Sequence, residues 1–301
     1  MSTVSEVGIH QFMAMLRIFE HRFVDEERAA SAIERNAWDE LRSLVERSFA
    51  GIGVQKLEDL RLVEERVARA LDEFLLEIEL RCPRKLLGVV EFFEALLDVP
   101  NLVSYLTGLG KYVPLSSLGR CVARCTDRSC VETCVKSSAI ARTSSLSIEE
   151  MKLENLAELK LSLLRKFFEE VRNVVPNDIV LNYVATYVAF EILDIATKNE
   201  NGGKVLASVW GIEPRVEAIV SRLGIWSRTG IESVESYWNA LKSDPSRASL
   251  MRITLIARNV VKPMRFFEDL ATLLLSILLA IPLQLQIARL AYATTSMGWR
   301  P

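Results

Sequence analysis

Residues 67–82 read VARALDEFLLEIELRC, Pro83 follows, and residues 86–110 read LLGVVEFFEALLDVPNLVSYLTGLG. Two long segments rich in leucine, glutamate and arginine flank a residue that lacks the amide proton a helix needs and clashes with the preceding turn. The pattern predicts a helix, a break and a second helix. It recurs twice. LKLSLLRKFFEEVRNVV (159–175) leads to Pro176 and NDIVLNYVATYVAFEILDIATKNENGG (177–203), and LMRITLIARNVVK (250–262) leads to Pro263 and MRFFEDLATLLLSILLAIPLQLQIARLAYATTSMG (264–298). The three prolines stand 93 and 87 residues apart. A fixed period of this kind marks copies of one supersecondary unit. A period near 90 suits small helical subdomains better than a continuous superhelix.

Composition points the same way. The chain has 301 residues, enough for more than one core, with only 13 glycines and 9 prolines. Straight-chain residues lose little side-chain freedom in a helix, so low glycine and proline with abundant Leu, Glu and Arg favour helix almost throughout. No convincing strand alternation occurs, the short run Ile179–Val184 being ambiguous. A formal net charge of −2 argues against nucleic acid as a partner. The opening MSTVSEVGIHQF lacks the basic and apolar regions of a secretory signal.

Along the chain, helices are expected over 8–24, from Asn36 as a cap through AWDELRSLVERSF, over Leu57–Glu79, and over Leu153–Val175. In the second of these, Trp38, Leu41, Val45 and Phe49 recur at helical spacing, and Gly51 and Gly53 follow as helix enders. The loop NENGG (199–203) reads as a subdomain boundary. Leu270–Ile281 is almost wholly apolar, but Pro282, Gln284 and Gln286 interrupt it after about a dozen residues, short of the ~20 that span a bilayer. It is therefore expected to be a core helix. The all-α reading divides the chain into 1–115, 116–205 and 206–301.

No phosphate loop, dinucleotide fingerprint, HExxH or nucleophile elbow occurs. His10 and His21 lie three helical turns apart and suggest neither a metal site nor a catalytic base. The pairs Glu26–Glu27, Glu64–Glu65 and Glu149–Glu150 lie among basic residues and read as solvated helix faces. No catalytic residue and no cofactor is expected.

The cysteines stand apart. GRCVARCTDRSCVETCVKS carries Cys121, Cys125, Cys130 and Cys134 as C-x3-C-x4-C-x3-C. A C-x3-C spacing puts both sulfurs on one helix face. With TDRS as a turn, a helical hairpin sets Cys121 opposite Cys134 and Cys125 opposite Cys130. Two nested disulfides fit best and would suit a hyperthermophilic cell. A tetrahedral zinc or iron–sulfur site on the same four residues departs from the usual C-x2-C knuckle. Four reduced core residues are the third reading. Cys82, beside Pro83, reads as a lone buried thiol.

The order of segments resembles the C-type connector family of archaeal A-type ATP synthases, homologous to the d-type connector of V-ATPases. The resemblance rests on QFMAMLRIFEHRF with Phe12 and Arg17, on LVERSFAG with Leu44, Phe49 and Gly51, on LEDLRLVEERVARAL, and best on Asp98, Val99, Asn101 and Leu102 in LLDVPNLVSYLTGLG. In the second copy Ala189 and Ile192 replace the Asp and Asn, in the third PLQLQIARL replaces the charged element, and the cysteines have no counterpart. The resemblance implies a non-catalytic, funnel-shaped connector of three similar helical subdomains. Its implied partners are the central-stalk subunits and the membrane proteolipid ring, with no nucleic acid and no small-molecule substrate. It would lie on the cytoplasmic face of the cell membrane and transmit torque for proton or sodium transport and ATP synthesis. A helical scaffold or adaptor of another archaeal complex is the alternative. A helical enzyme or a membrane-anchored chain stays open beside it.

Overall fold

The computed structural model describes residues 6–48, 59–108, 116–143 and 151–296, and among these every regular element is helical. The chain forms α1 (Glu6–Arg22), α2 (Glu26–Glu34), α3 (Trp38–Arg47), α4 (Leu60–Arg81) and α5 (Arg84–Leu106), then the short α6 (Ser117–Val122) and α7 (Arg128–Lys136). After them come α8 (Leu156–Val174), α9 (Asp178–Lys198), α10 (Gly202–Trp210), α11 (Val216–Leu223), α12 (Arg228–Ser243), α13 (Pro245–Ile256), α14 (Lys262–Met264) and α15 (Leu270–Ser296). A π-helical turn, Ala257–Val261, joins α13 to α14 without a break.

Side-chain chemistry sets the ends. Asp25 caps α2 by accepting from the amides of Glu27 and Arg28. Asn177 caps α9, Ser227 caps α12 and Asp244 caps α13, each accepting from amides two or three residues on. Asn36 does not cap α3. It sits at φ 55° just after α2, a left-handed position that asparagine tolerates better than most residues, and Ala37 precedes α3 instead. The expected helix enders Gly51 and Gly53, with Phe49, lie outside the described residues.

Each predicted helix pair is present. Pro83 falls in the break between α4 and α5, and Pro176 in the break between α8 and α9. The third pair differs. The rod from Pro245 runs through Pro263, and the break comes at Arg265–Asp269. The wider π turn just before Pro263 gives its ring room where an α turn would clash with the preceding carbonyl. Pro100 and Pro282 likewise lie inside α5 and α15.

Contacts within the chain group it into two compact units, a different division from three successive segments cut at 115 and 205. Unit one combines Met1–Phe74 and Arg81–Pro83 with Ser227–Pro301, and unit two combines Leu75–Leu80 with Arg84–Trp226. In unit one α15 packs on α3 and α1, and α13 packs on α12 and α2. Phe12, Leu16, Leu41, Val45, Val67, Leu71 and the whole of Leu273–Leu275 and Ile277–Ile281 are buried there. α15 is covered by α1 and α3 as well as by α13, α14 and the π turn, so the last helices share a core with the first ones. In unit two α5 packs along α8, with α9 and α10 behind them, around Phe93, Phe167, Phe190 and Leu161. The NENGG loop is no boundary. α10 starts at Gly202 inside it and packs on α8 and α9. Trp210 of α10 donates its indole N–H to the Leu161 carbonyl (3.1 Å). The run Ile179–Val184 is helical, as part of α9.

Among the described residues, two helices, Asp178–Lys198 and Leu270–Thr294, are long and apolar enough to cross a membrane. The interruption expected at Pro282 is absent, so length no longer separates a core helix from a spanning one here. Of each apolar window, 72 % is buried within the protein.

Candidate functional site

The cysteine hairpin is built by α6 and α7. Ser116 opens α6, its Oγ accepting from the Gly119 amide (3.1 Å). Asp127 opens α7, its carboxylate accepting from the Cys130 amide (2.9 Å). α7 sets Cys130 and Cys134 one turn apart on one arm, and α6 carries Cys121; Cys125 lies three residues past the end of α6, in the link between the arms and not on the helical i, i+4 face that the spacing suggested. Two disulfides close the hairpin. Cys121–Cys134 has a Cα separation of 5.8 Å and Cys125–Cys130 one of 5.4 Å, both within the usual range for a bridge. The bridges touch, with Cys125 Sγ 3.6 Å from Cys134 Sγ. Cys121 is exposed, Cys125 and Cys130 are half-buried, and Cys134 is buried. Val122, Val131 and Val135 supply the apolar side of the hairpin, and Ala139 and Ile140 follow them into the core.

A buried acidic cluster anchors this hairpin to the long helices of unit two. Glu94 and Asp98 stand one turn apart on α5, 1 % and 0 % exposed. Ser116 donates its hydroxyl to Asp98 Oδ2 (2.5 Å). The Ser117 amide donates to Glu94 Oε2 (3.3 Å). Arg120 pairs with Glu79, and Arg142, just beyond the hairpin, pairs with Glu91 and lies over the Phe92 ring. Burial pushes the Glu94 carboxyl well above its ordinary range, and a hydrogen bond and charge from Glu79 push it further. The Ser117 amide and the Arg120 charge pull the other way. Glu94 Oε1 has no partner of its own. A cavity of about 50 Å³ lies beside it, lined by Glu91, Glu94, Ser116, Ser138 and Arg142 among others. That is room for a water molecule or two. Through Asp98 and Glu94 the cluster holds Ser116 and Ser117 at the start of α6.

A second buried network lies in unit one. Arg265 reaches both oxygens of Glu26 (2.7 Å each) and Glu20 (3.2 Å). Gln284 of α15 donates to Glu26 (2.9 Å) and to the Val24 carbonyl (3.2 Å), and accepts from the Val24 amide (2.8 Å). Arg17 donates to Glu20 (2.8 Å) and to the carbonyls of Arg265 (3.4 Å) and Phe267 (3.3 Å). Glu26 is thus no solvated face residue. It is 3 % exposed, and burial raises its carboxyl against the lowering effect of Arg265. Its basic partner lies 239 residues away, beyond any local charge pattern.

His10 and His21 are both exposed on α1. Cys82 is half-buried, more open than expected of a core thiol, because it sits in the break after α4. Within the stretch that carries the family resemblance, Asp98 and Leu102 are buried and Asn101 is half-exposed. Asp98 acts through Ser116, holding the residue that caps α6. Ala189 and Ile192 are buried core residues of α9. Glu149 and Glu150 lie outside the described residues. The sequence pattern does not single out Glu94, Glu79 or Arg120. The one signal it holds is Glu94 on the apolar face of α5, in register with Val90 and Asp98.

Among the described residues, Cys125, Cys130 and Cys134 form a group whose ligand atoms lie close enough to share a metal ion. The larger surface depressions are open and shallow in character. One of about 510 Å³ is lined by Asp25, Arg28, Arg35, Glu40 and Arg47, and another of about 650 Å³ by Tyr105, Arg128, Val131, Met151 and Lys152. Comparison with protein-family models, curated proteins and solved structures finds no match for this chain.

Proposed function

We propose that this chain is a non-catalytic helical connector. Following the sequence resemblance, its role is that of the rotor connector of an A/V-type ATP synthase, which joins the central stalk to the membrane proteolipid ring and transmits torque. The observation that carries the reading is the helix pair repeated three times. α4 and α5 have 22 and 23 residues, α8 and α9 have 19 and 21, and the rod Pro245–Met264 is followed by the 27 residues of α15. Each pair turns at or beside a proline of the 90-residue register. Long helices tied by buried ion pairs resist bending, as a part that passes on torque must. A peripheral location on the cytoplasmic face of the membrane agrees with an α15 covered by protein. The funnel of three similar subdomains belongs to this proposal as the arrangement such a connector would take.

The division into two units favours a second reading, a helical scaffold or adaptor of another complex. One experiment separates them. The tagged chain is expressed in its native host, its complexes are captured after gentle solubilisation, and the neighbours are identified by mass spectrometry. The connector reading expects stalk and ring subunits in stoichiometric amounts. A reproducible set of unrelated neighbours establishes the scaffold instead. Turnover of a substrate by the purified chain, lost on a single substitution, overturns both.

A further inference from the structure

We propose that the four hairpin cysteines form a reversible site for one soft divalent cation of the zinc class, occupied when the two disulfides are reduced. The inference stands independently of the connector reading.

A tetrahedral thiolate site has metal–sulfur bonds near 2.3 Å, which puts its sulfurs about 3.8 Å apart. Cys125 Sγ and Cys134 Sγ belong to different bridges and already lie 3.6 Å apart. Cys125, Cys130 and Cys134 offer sulfurs all within 4.8 Å of one another. Cys121 is bonded to Cys134, so its sulfur joins the same cluster. Breaking the two S–S bonds leaves four sulfurs around one point. The bonded pairs need only part to van der Waals distance, which side-chain rotation supplies while α6 and α7 stay in place.

The spacing also fits. A loop knuckle uses C-x2-C; here α7 presents Cys130 and Cys134 at i and i+4, α6 presents Cys121, and Cys125 comes from the link that follows α6. The backbone is fixed by groups other than sulfur. Ser116 and Asp127 cap the two helices, and Asp98 holds Ser116. The site therefore does not need the disulfides to set its frame. Cys130 lies in the first turn of α7, where the helix dipole favours a thiolate. Exposed Cys121 and half-buried Cys125 and Cys130 give a reductant access to both bridges.

The chemistry balances with a dithiol as reductant. Each protein disulfide accepts two electrons and two protons from one dithiol, which closes to its own disulfide. Two dithiols thus yield four protein thiols. Binding one divalent cation as four thiolates releases four protons to water. Exchange with two cyclic disulfides, the oxidised form of the dithiol, reverses the sequence: each accepts two electrons and two protons and returns to a dithiol, two protein disulfides re-form and the metal leaves.

The test uses the full chain, reduced anaerobically with a dithiol, freed of reductant and titrated with Co²⁺, then with Zn²⁺ in competition. The expected result is one cobalt per chain with the visible and near-ultraviolet bands of tetrahedral cobalt–thiolate, displaced by one zinc. The oxidised chain shows no bands. Cys125→Ser and Cys134→Ser lose the tetrahedral spectrum, while Cys82→Ser retains it. Circular dichroism is followed in parallel. A reduced chain that keeps its helix content and binds no cobalt overturns the proposal. So does a reduced chain that loses helix and does not regain it with metal, and so does binding that survives Cys125→Ser and Cys134→Ser unchanged.

Discussion

Replacing Arg265 by methionine tests the buried network of unit one. The substitution keeps much of the side-chain volume and removes the charge that meets both oxygens of Glu26 at 2.7 Å. Glu26 is 3 % exposed, so water cannot replace the lost partner. Gln284 remains as a neutral side-chain donor at 2.9 Å, beside a backbone amide. Breaking a buried pair from one side costs about 3–5 kcal/mol, because an uncompensated charge stays behind. In urea, at a slope of about 3 kcal/mol per molar, the midpoint falls by about 1–1.7 M. The double variant Arg265→Met, Glu26→Gln removes the stranded charge and recovers at least half of the loss. The pH dependence supplies the sign. Burial raises the folded-state value of Glu26 above its ordinary 4.5, and Arg265 opposes that rise. A raised group contributes stability that is fully present below the unfolded value and lost as pH rises through the folded one. Without Arg265 the folded value climbs further. The deficit is then largest at neutral pH and shrinks as pH falls towards about 4.5. A deficit under about 1 kcal/mol, or one that is the same at every pH, refutes the electrostatic account and leaves only lost packing.

Three further outcomes are expected. Removing the outer bridge with Cys121→Ala and Cys134→Ala frees a loop of separation 13, which costs about 3 kcal/mol in the chain-entropy model. The inner bridge, of separation 5, contributes about 2 kcal/mol by itself and less while the outer one persists, as non-reducing denaturation of the paired variants will register. Glu94 is raised by burial and by Glu79, so its contribution to wild-type stability declines as pH rises from 4.5 through the raised value. Glu94→Gln lacks that decline, and the difference between the two stability–pH curves measures it. Gly202→Ala places a Cβ 2.6 Å from the Ile195 carbonyl oxygen and 2.7 Å from that of Ala196 and costs about 1–3 kcal/mol in thermal unfolding, whereas Gly211→Ala meets open space and costs about 1 kcal/mol through its φ of 69° alone.

What the sequence made legible was whatever depends on neighbours within a few turns. The long helices follow from their 3.6-residue stripes, and Val63, Val67, Leu71, Phe74, Leu75 and Ile78 of α4 are buried as their spacing requires. The cysteine pairing follows from two C-x3-C spacings mirrored about Asp127 and Arg128, although only Cys130 and Cys134 share a helix. What remained hidden depends on partners far along the chain. Nothing near Glu26 announces Arg265, so an acidic pair at the start of α2 reads as a solvated face. Nothing near Pro282 announces that α3 and α1 hold α15 together across it, so the proline reads as a stop. The grouping of the first and last helices into one unit is of the same kind, because a period shows that segments resemble one another and does not show which of them share a core.

That grouping sets an order for the birth of the protein. Unit two is almost a continuous stretch and has all its main helices once residue 226 has left the ribosome. Unit one has to wait. Arg17 and the carbonyl of Arg265 that it bonds are separated by 248 residues. At ~5–20 residues per second, synthesis of that interval takes about 12–50 s. Until α15 emerges, Phe12 and Leu16 of α1 and Leu41 and Val45 of α3 lack the helix that later covers them. The nascent chain therefore carries one finished unit and one apolar half at the same time, and the half-made unit is the one that a cell would have to shield.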